Sequence, residues 1–104
     1  MRAVGLNFRD VLNVLGEYPG DPGPPGGDAA GVIDAADAAF GLAHAPLASL
    51  ARAAAPLLAP KPSPLSFEQA CTLPVTWSTT HVAFQRGGLR RAQCVILHAT
   101  AGGV

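Results

Sequence analysis

The sequence predicts a mainly β fold carrying a few short helices. Ten prolines and twelve glycines cut its 104 residues into short pieces, a loop-rich pattern that suits β connections. The apolar runs are correspondingly brief, as in Ala29-Ala30-Gly31-Val32-Ile33. The last of them, Cys94-Val95-Ile96-Leu97, is too short for a helix and β-branched in its middle, so it reads as a buried strand. It leads through His98-Ala99-Thr100 into Ala101-Gly102-Gly103. In a doubly wound α/β arrangement such a turn lets backbone approach a dinucleotide pyrophosphate, whose charge rests on the amides of the next helix. A plain strand and turn is the simpler reading of the same residues.

The length supports one small domain with a modest core. Seven basic side chains balance seven acidic ones, which argues against nucleic acid or an anionic membrane as partner. No apolar run approaches the roughly 20 residues of a membrane span. The first residues lack the pattern of a cleavable signal, so a cytoplasmic protein is expected. Cys71 and Cys94 stand alone without metal-ligand spacing, and two buried free thiols are expected in place of a disulfide.

Along the chain, Met1 to Leu6 suits the end of a strand. Asn7 is placed to cap a helix over Phe8 to Leu15, where Phe8, Val11, Leu12 and Leu15 keep helical spacing and Gly16 is the stop. Glu17 to Gly27 is a Pro/Gly loop with Tyr18 its only aromatic. Asp28 to Asp34 reads as a buried strand, Ala35 to Ala39 as a connection, and Phe40-Gly41-Leu42 as a second short strand. Ala43 to Pro56 stays open between helix, on its alanines, and strand. Leu57 to Pro60 is a strand end, followed by the stiff linker Lys61-Pro62-Ser63-Pro64. Ser66 and Gln69 form a capping box, with Leu65 placed to staple onto Ala70, and that helix should stop near Leu73 because Pro74 disfavours helical geometry before it. A second helix, Val75 to Gln85, should stop at Gly87-Gly88.

Several of these segments, in this order, resemble one family. Gly5-Leu6-Asn7-Phe8-Arg9-Asp10-Val11 with Leu15-Gly16-Glu17-Tyr18-Pro19-Gly20 is similar to the entry of the enoyl reductase domains of polyketide synthases and animal-type fatty acid synthases. Gly27-Asp28-Ala29-Ala30-Gly31, Leu65 to Ala70, Leu73 to Thr79 and Val95 to Val104 continue the pattern. The resemblance implies the zinc-free branch of the medium-chain dehydrogenase/reductase superfamily. Its fold would be a GroES-like partial β-barrel over residues 1–74. Residues 75–104 would be a linking helix with the first strand and phosphate loop of a truncated Rossmann domain. It further implies NADPH as hydride donor and an acyl carrier protein, within a multidomain synthase, as bearer of the α,β-unsaturated substrate.

The sequence also departs from that pattern. It closes one residue before the last glycine expected of the turn, and the later stretch that supplies a lysine and an aspartate to the family is not in it. The resemblance therefore implies an N-terminal fragment, inactive by itself. Ala36-Asp37-Ala38-Ala39 replaces a Gly-Asp-Arg-Val-like turn, a change expected to weaken the barrel. The connection after Ile33 is short, as in the animal synthases. A quinone or alkenal reductase of the same superfamily, a non-catalytic interaction module, and an unrelated β domain remain the alternatives.

By the same resemblance Tyr18 is the candidate catalytic residue, a phenol able to protonate a developing enolate; a surface loop tyrosine is the plain alternative. Asn7 and Thr79 are candidate contacts to the nicotinamide, against a helix cap and a back-bonded helical threonine. Ala101, Gly102 and Gly103 are candidate contacts to the cofactor phosphates. Arg9 and Asp10 suit a local ion pair, and Trp77, Phe84 and Val75 suit packing between domains. The cysteine and histidine that hold zinc in metal-dependent relatives are missing, and His44, His81 and His98 lack ligand spacing. A metal-free hydride transfer follows, with polarisation left to hydrogen bonds.

Overall fold

Small residues set the architecture. The structure, a computed structural model, describes residues 1–34 and 36–98. Strand β2 (Asp28–Ile33) lies between β1 (Ala3–Gly5) and β3 (Asp37–Leu42), and β4 (Leu58–Pro60) completes an antiparallel sheet of order β1-β2-β3-β4. Asp28 pairs with Gly5 on one side and Leu42 on the other. Neighbouring strand residues point to opposite faces, so the burial of both Ala29 and Ala30 means that the sheet is covered on both sides there. Further along, Val32 and Ile33 are exposed.

Helix α2 (Phe67–Ala70) covers one of those faces. Ala30, Ala70 and Cys71 form its contact with the sheet, ringed by Ala3, Phe40, Leu65 and Phe67. The short side chains allow close approach. At Gly5 the approach is so tight that a Cβ would strike the Cys71 carbonyl oxygen and lie 2.8 Å from the Asp28 Cβ. Ser66 and Gln69 make the expected capping box, Ser66 Oγ accepting the Gln69 N–H at 3.1 Å and Gln69 Oε1 the Ser66 N–H at 2.9 Å. Lys61 ties the preceding linker down, sitting 5.3 Å above the Phe67 ring and donating to the Leu65 carbonyl.

Helix α1 (Phe8–Leu15) ends as anticipated at Gly16, whose φ of 72° is left-handed. The Glu17 N–H reaches back to Leu12 and the Gly16 N–H to Asn13, a paired closure that uses up two orphan carbonyls. Helix α3 (Pro74–Arg86) starts on a proline, which has no N–H to leave unsatisfied at that position.

Five expectations change. Strand β3 begins at Asp37, so the connection shrinks to the turn around Asp34, where the Ala36 N–H donates to Ile33 at 3.1 Å. The replaced turn therefore carries continuous pairing and does not interrupt the sheet. Residues 43–56 form neither helix nor strand, apart from one bridge between His44 and Arg52 and the start of a 3-10 turn at Ala55–Leu57. Helix α2 stops at Ala70, three residues early, because the Thr72 and Leu73 N–H groups close tight turns onto Gln69 and Ala70. The apolar spacing of α1 marks an outward face: Phe8 is 74% and Val14 79% exposed, while Asp10 is buried. Cys94 to Leu97 forms no strand; Ile96 is 85% exposed and Cys94 lies at the surface. A parallel strand is held by neighbours on both edges and helices on both faces, and no described strand runs alongside it.

Candidate active site

The polar face of α1 builds the site. Asp10, 4% exposed, accepts the Asn7 N–H through Oδ2 at 2.8 Å and the Gly26 N–H through Oδ1 at 2.7 Å. Arg9 donates to the Gly26 carbonyl at 2.9 Å and pairs with Asp10 at 3.5 Å, the local ion pair expected from their adjacency. One turn on, Asn13 Nδ2 donates to Gly23 at 2.9 Å. Arg9, Asp10 and Asn13 thus anchor the Pro/Gly loop that bears Tyr18.

The second carboxylate is Asp28, 2% exposed at the start of β2. Its Oδ2 accepts the Asn7 side-chain amide at 3.0 Å and its Oδ1 accepts the Val75 N–H at 2.9 Å. Val75 opens α3, where the first backbone N–H groups lack helical partners and the helix dipole favours negative charge. Asn7, Arg9, Asp10, Gly27, Leu42 and Val75 then line a cleft of about 250 Å³.

The two carboxyls differ in charge preference. Burial pushes Asp10 up, but the Asn7 and Gly26 N–H groups and Arg9 outweigh it and hold the carboxyl below its ordinary range. Burial dominates at Asp28 and raises it, against the opposing Asn7 and Val75 donors and with some help from the Asp10 charge. Cys71 is raised by its own burial and then by Asp28. Among the described residues no group of three His, Cys, Asp or Glu side chains is placed to hold a metal.

No family model matches the chain. Along its entire length it is 42% identical to part of the spectinabilin polyketide synthase system protein NorB of Streptomyces orinoci, and 39% identical to part of erythronolide synthase EryA2 of Saccharopolyspora erythraea. The chain is a homologue of polyketide synthases. It spans 5% of the first protein and 3% of the second. Both alignments run to 115 positions, more than the 104 residues here, so these relatives carry residues within the matched region that this chain lacks.

The crystal structures of the quinone oxidoreductase from Thermus thermophilus and its complex with NADPH provide a structural neighbour at TM-score 0.70 and 35% identity. The match covers 86% of this chain and 31% of that one. The GroES-like start of a medium-chain dehydrogenase/reductase is therefore the fold of this polyketide synthase homologue. The expected opening strand of the Rossmann part is not formed at Cys94 to Leu97.

In this polyketide synthase homologue Asn7 stands at the cleft, with its amide committed to Asp28. Thr79 is exposed on α3, one helical turn beyond Val75 and on the same face. Tyr18 is half-buried on the anchored loop and does not belong to the cleft lining. Ala101, Gly102 and Gly103 lie outside the described residues. Asp28 and Val75 carry more of the site than their sequence context suggested. The available signal was a charged residue opening an otherwise apolar strand, a position that requires buried donors.

Proposed function

We propose that this chain is the substrate-side part of an NADPH-dependent enoyl reductase of a polyketide synthase. It would act on α,β-unsaturated acyl chains presented as thioesters by an acyl carrier protein. One observation carries the reading: the residues that align from end to end with polyketide synthases also form the fold of an oxidoreductase. Residues 1–74 would be the substrate-side domain, with residues 75–104 leading into the nucleotide-binding domain.

The donor set suits the nicotinamide end of NADPH. Leu42 and Val75 offer apolar walls and Asn7 and Arg9 polar edges to a flat ring that bears an amide. When bound, NADPH supplies hydride to the β-carbon of the thioester. Asn7 and Thr79 would orient the ring, and Ala101, Gly102 and Gly103 would approach the phosphates through backbone. Tyr18 would give the proton to the α-carbon from its anchored loop.

The test is NADPH oxidation by the full protein that carries this chain, with a crotonyl thioester on a carrier protein and, separately, a simple quinone. Thioester-dependent oxidation supports the reading, and Tyr18→Phe should then slow protonation or alter the product's configuration. Turnover of the quinone alone would favour a quinone reductase, the activity named for the Thermus neighbour. Failure of both, with no NADPH binding, would leave a non-catalytic interaction module.

A further inference from the structure

Asp28 sits on the most firmly held part of the sheet. It lies on an inner strand, paired to Gly5 and Leu42 on its two sides, and Gly5 leaves room for its Cβ. From there its two oxygens reach two helices. Oδ2 receives the Asn7 amide at the entry of α1, 21 residues away, and Oδ1 receives the Val75 N–H in the first turn of α3, 47 residues away. No apolar side chain could hold both donors. An amide in its place offers one acceptor oxygen, and would turn its own N–H₂ toward one of them. A buried carboxylate is costly unless it is paired, so its place here calls for more than packing.

We propose that Asp28 is the positioning residue of the cleft: its single carboxylate fixes the Asn7 amide and the start of α3 against each other, and so sets the separation between Asn7 and Thr79. Asp28 itself makes no contact with the reacting atoms in this scheme. Its effect passes through Asn7 on one side and through the α3 backbone on the other. The inference rests on the enoyl reductase reading for its kinetic consequence, but not for its geometric one.

The experiment reads amide exchange over residues 74–79 together with thioester-dependent NADPH oxidation, in the full protein that carries this chain. Asp28→Asn should speed exchange at Val75 by about tenfold, the loss of one hydrogen bond to a charged acceptor. It should lower kcat by about tenfold or more while changing KM for NADPH by less than about threefold, because misplacement acts on the reacting geometry. Asn7→Ala should lower kcat similarly with Val75 still protected, and the double variant should fall no further than the worse single one. The exchanged pair Asn7→Asp with Asp28→Asn keeps a donor and an acceptor facing each other and leaves an oxygen for Val75, so it should restore the slow exchange.

Unchanged Val75 exchange in Asp28→Asn would overturn the proposal. So would multiplicative losses of kcat from the two single variants. Should Asp28→Asn fail to fold, the exchanged pair decides: rapid exchange there refutes the positioning role and slow exchange supports it. A wild-type protein that oxidises no NADPH with the thioester refutes the enoyl reductase reading alone, and the exchange result still decides the role of Asp28.

Discussion

Asp10 and Asp28 are both almost fully buried, yet they respond to pH in opposite senses. Asp10 titrates below its ordinary value when folded, so it contributes stability that is present above the unfolded value and lost as pH falls through the folded one. Asp28 titrates above its ordinary value. Its contribution is present below the unfolded value and lost as pH rises through the folded one. Arg9, Asp10, Asp28 and Cys71 are the groups that share this environment. Urea midpoints across the carboxylate range should therefore separate two variants. Asp10→Asn should cost about 1–3 kcal/mol at neutral pH, since a backbone N–H loses its acceptor, and the deficit should shrink as pH is lowered through the carboxylate range. For Asp28→Asn, any deficit relative to wild type should shrink as pH rises, because wild type alone bears the cost of ionising Asp28. At Gly5 the limit is space. Gly5→Ala should cost about 1–3 kcal/mol as an overpacked contact, and an unchanged thermal midpoint would show that the Cys71 carbonyl can move aside.

At the scale of elements, local chemistry and burial come apart. Helix α2 follows its sequence signal closely, and Ser66→Ala should cost about 1 kcal/mol through loss of its cap, read from the same urea titrations. Helix α1 follows the sequence in its ends but not in its facing. Its spacing of Phe8, Val11, Leu12 and Leu15 is that of a core-facing stripe, whereas the structure buries Asp10 and turns Phe8 and Val14 outward. Val14→Ser should accordingly change stability by no more than about 0.5 kcal/mol, the range for surface positions. A loss above about 2 kcal/mol would mean that the face is covered. The periodicity could not reveal this. An apolar stripe shows that one side of a helix favours contact, while the position of the buried donors decides which side meets the sheet. Asp10 meets Gly26 and Asn13 meets Gly23 across a loop, and no repeat in the sequence encodes those pairings. Tyr18 was legible only through resemblance, because its loop has no periodicity at all.

For the whole molecule, the core is small in both number and size. The buried apolar residues are Ala29, Ala30, Ala39, Ala70 and Cys71. The radius of gyration is 15.3 Å, against about 13 Å for a compact domain of this length. Leu6, Phe8, Val14, Leu15, Leu50, Trp77 and Ile96 are all exposed, and apolar exposure on that scale favours association. The 104-residue chain alone should bind an apolar fluorescent dye strongly, and Phe8→Glu with Trp77→Glu should weaken that binding. A dye signal no greater than that of a compact control protein would show these faces to be covered.

The sequence by itself determined the features closed by hydrogen bonds within a few residues. These are the end of α1 at Gly16, the capping box of Ser66 and Gln69, the proline start of α3, and the small-residue strand after Asp28. Its ordered motifs also determined the kinship with polyketide synthases. Only the tertiary structure decided that Asp28 joins Asn7 to Val75, that α1 presents its polar side inward, and that Cys94 to Leu97 stays unpaired. Each of those outcomes depends on what lies alongside in space. A strand or a helix face becomes buried only when a partner is there to meet it, and a buried carboxylate is tolerated only where distant donors converge on it.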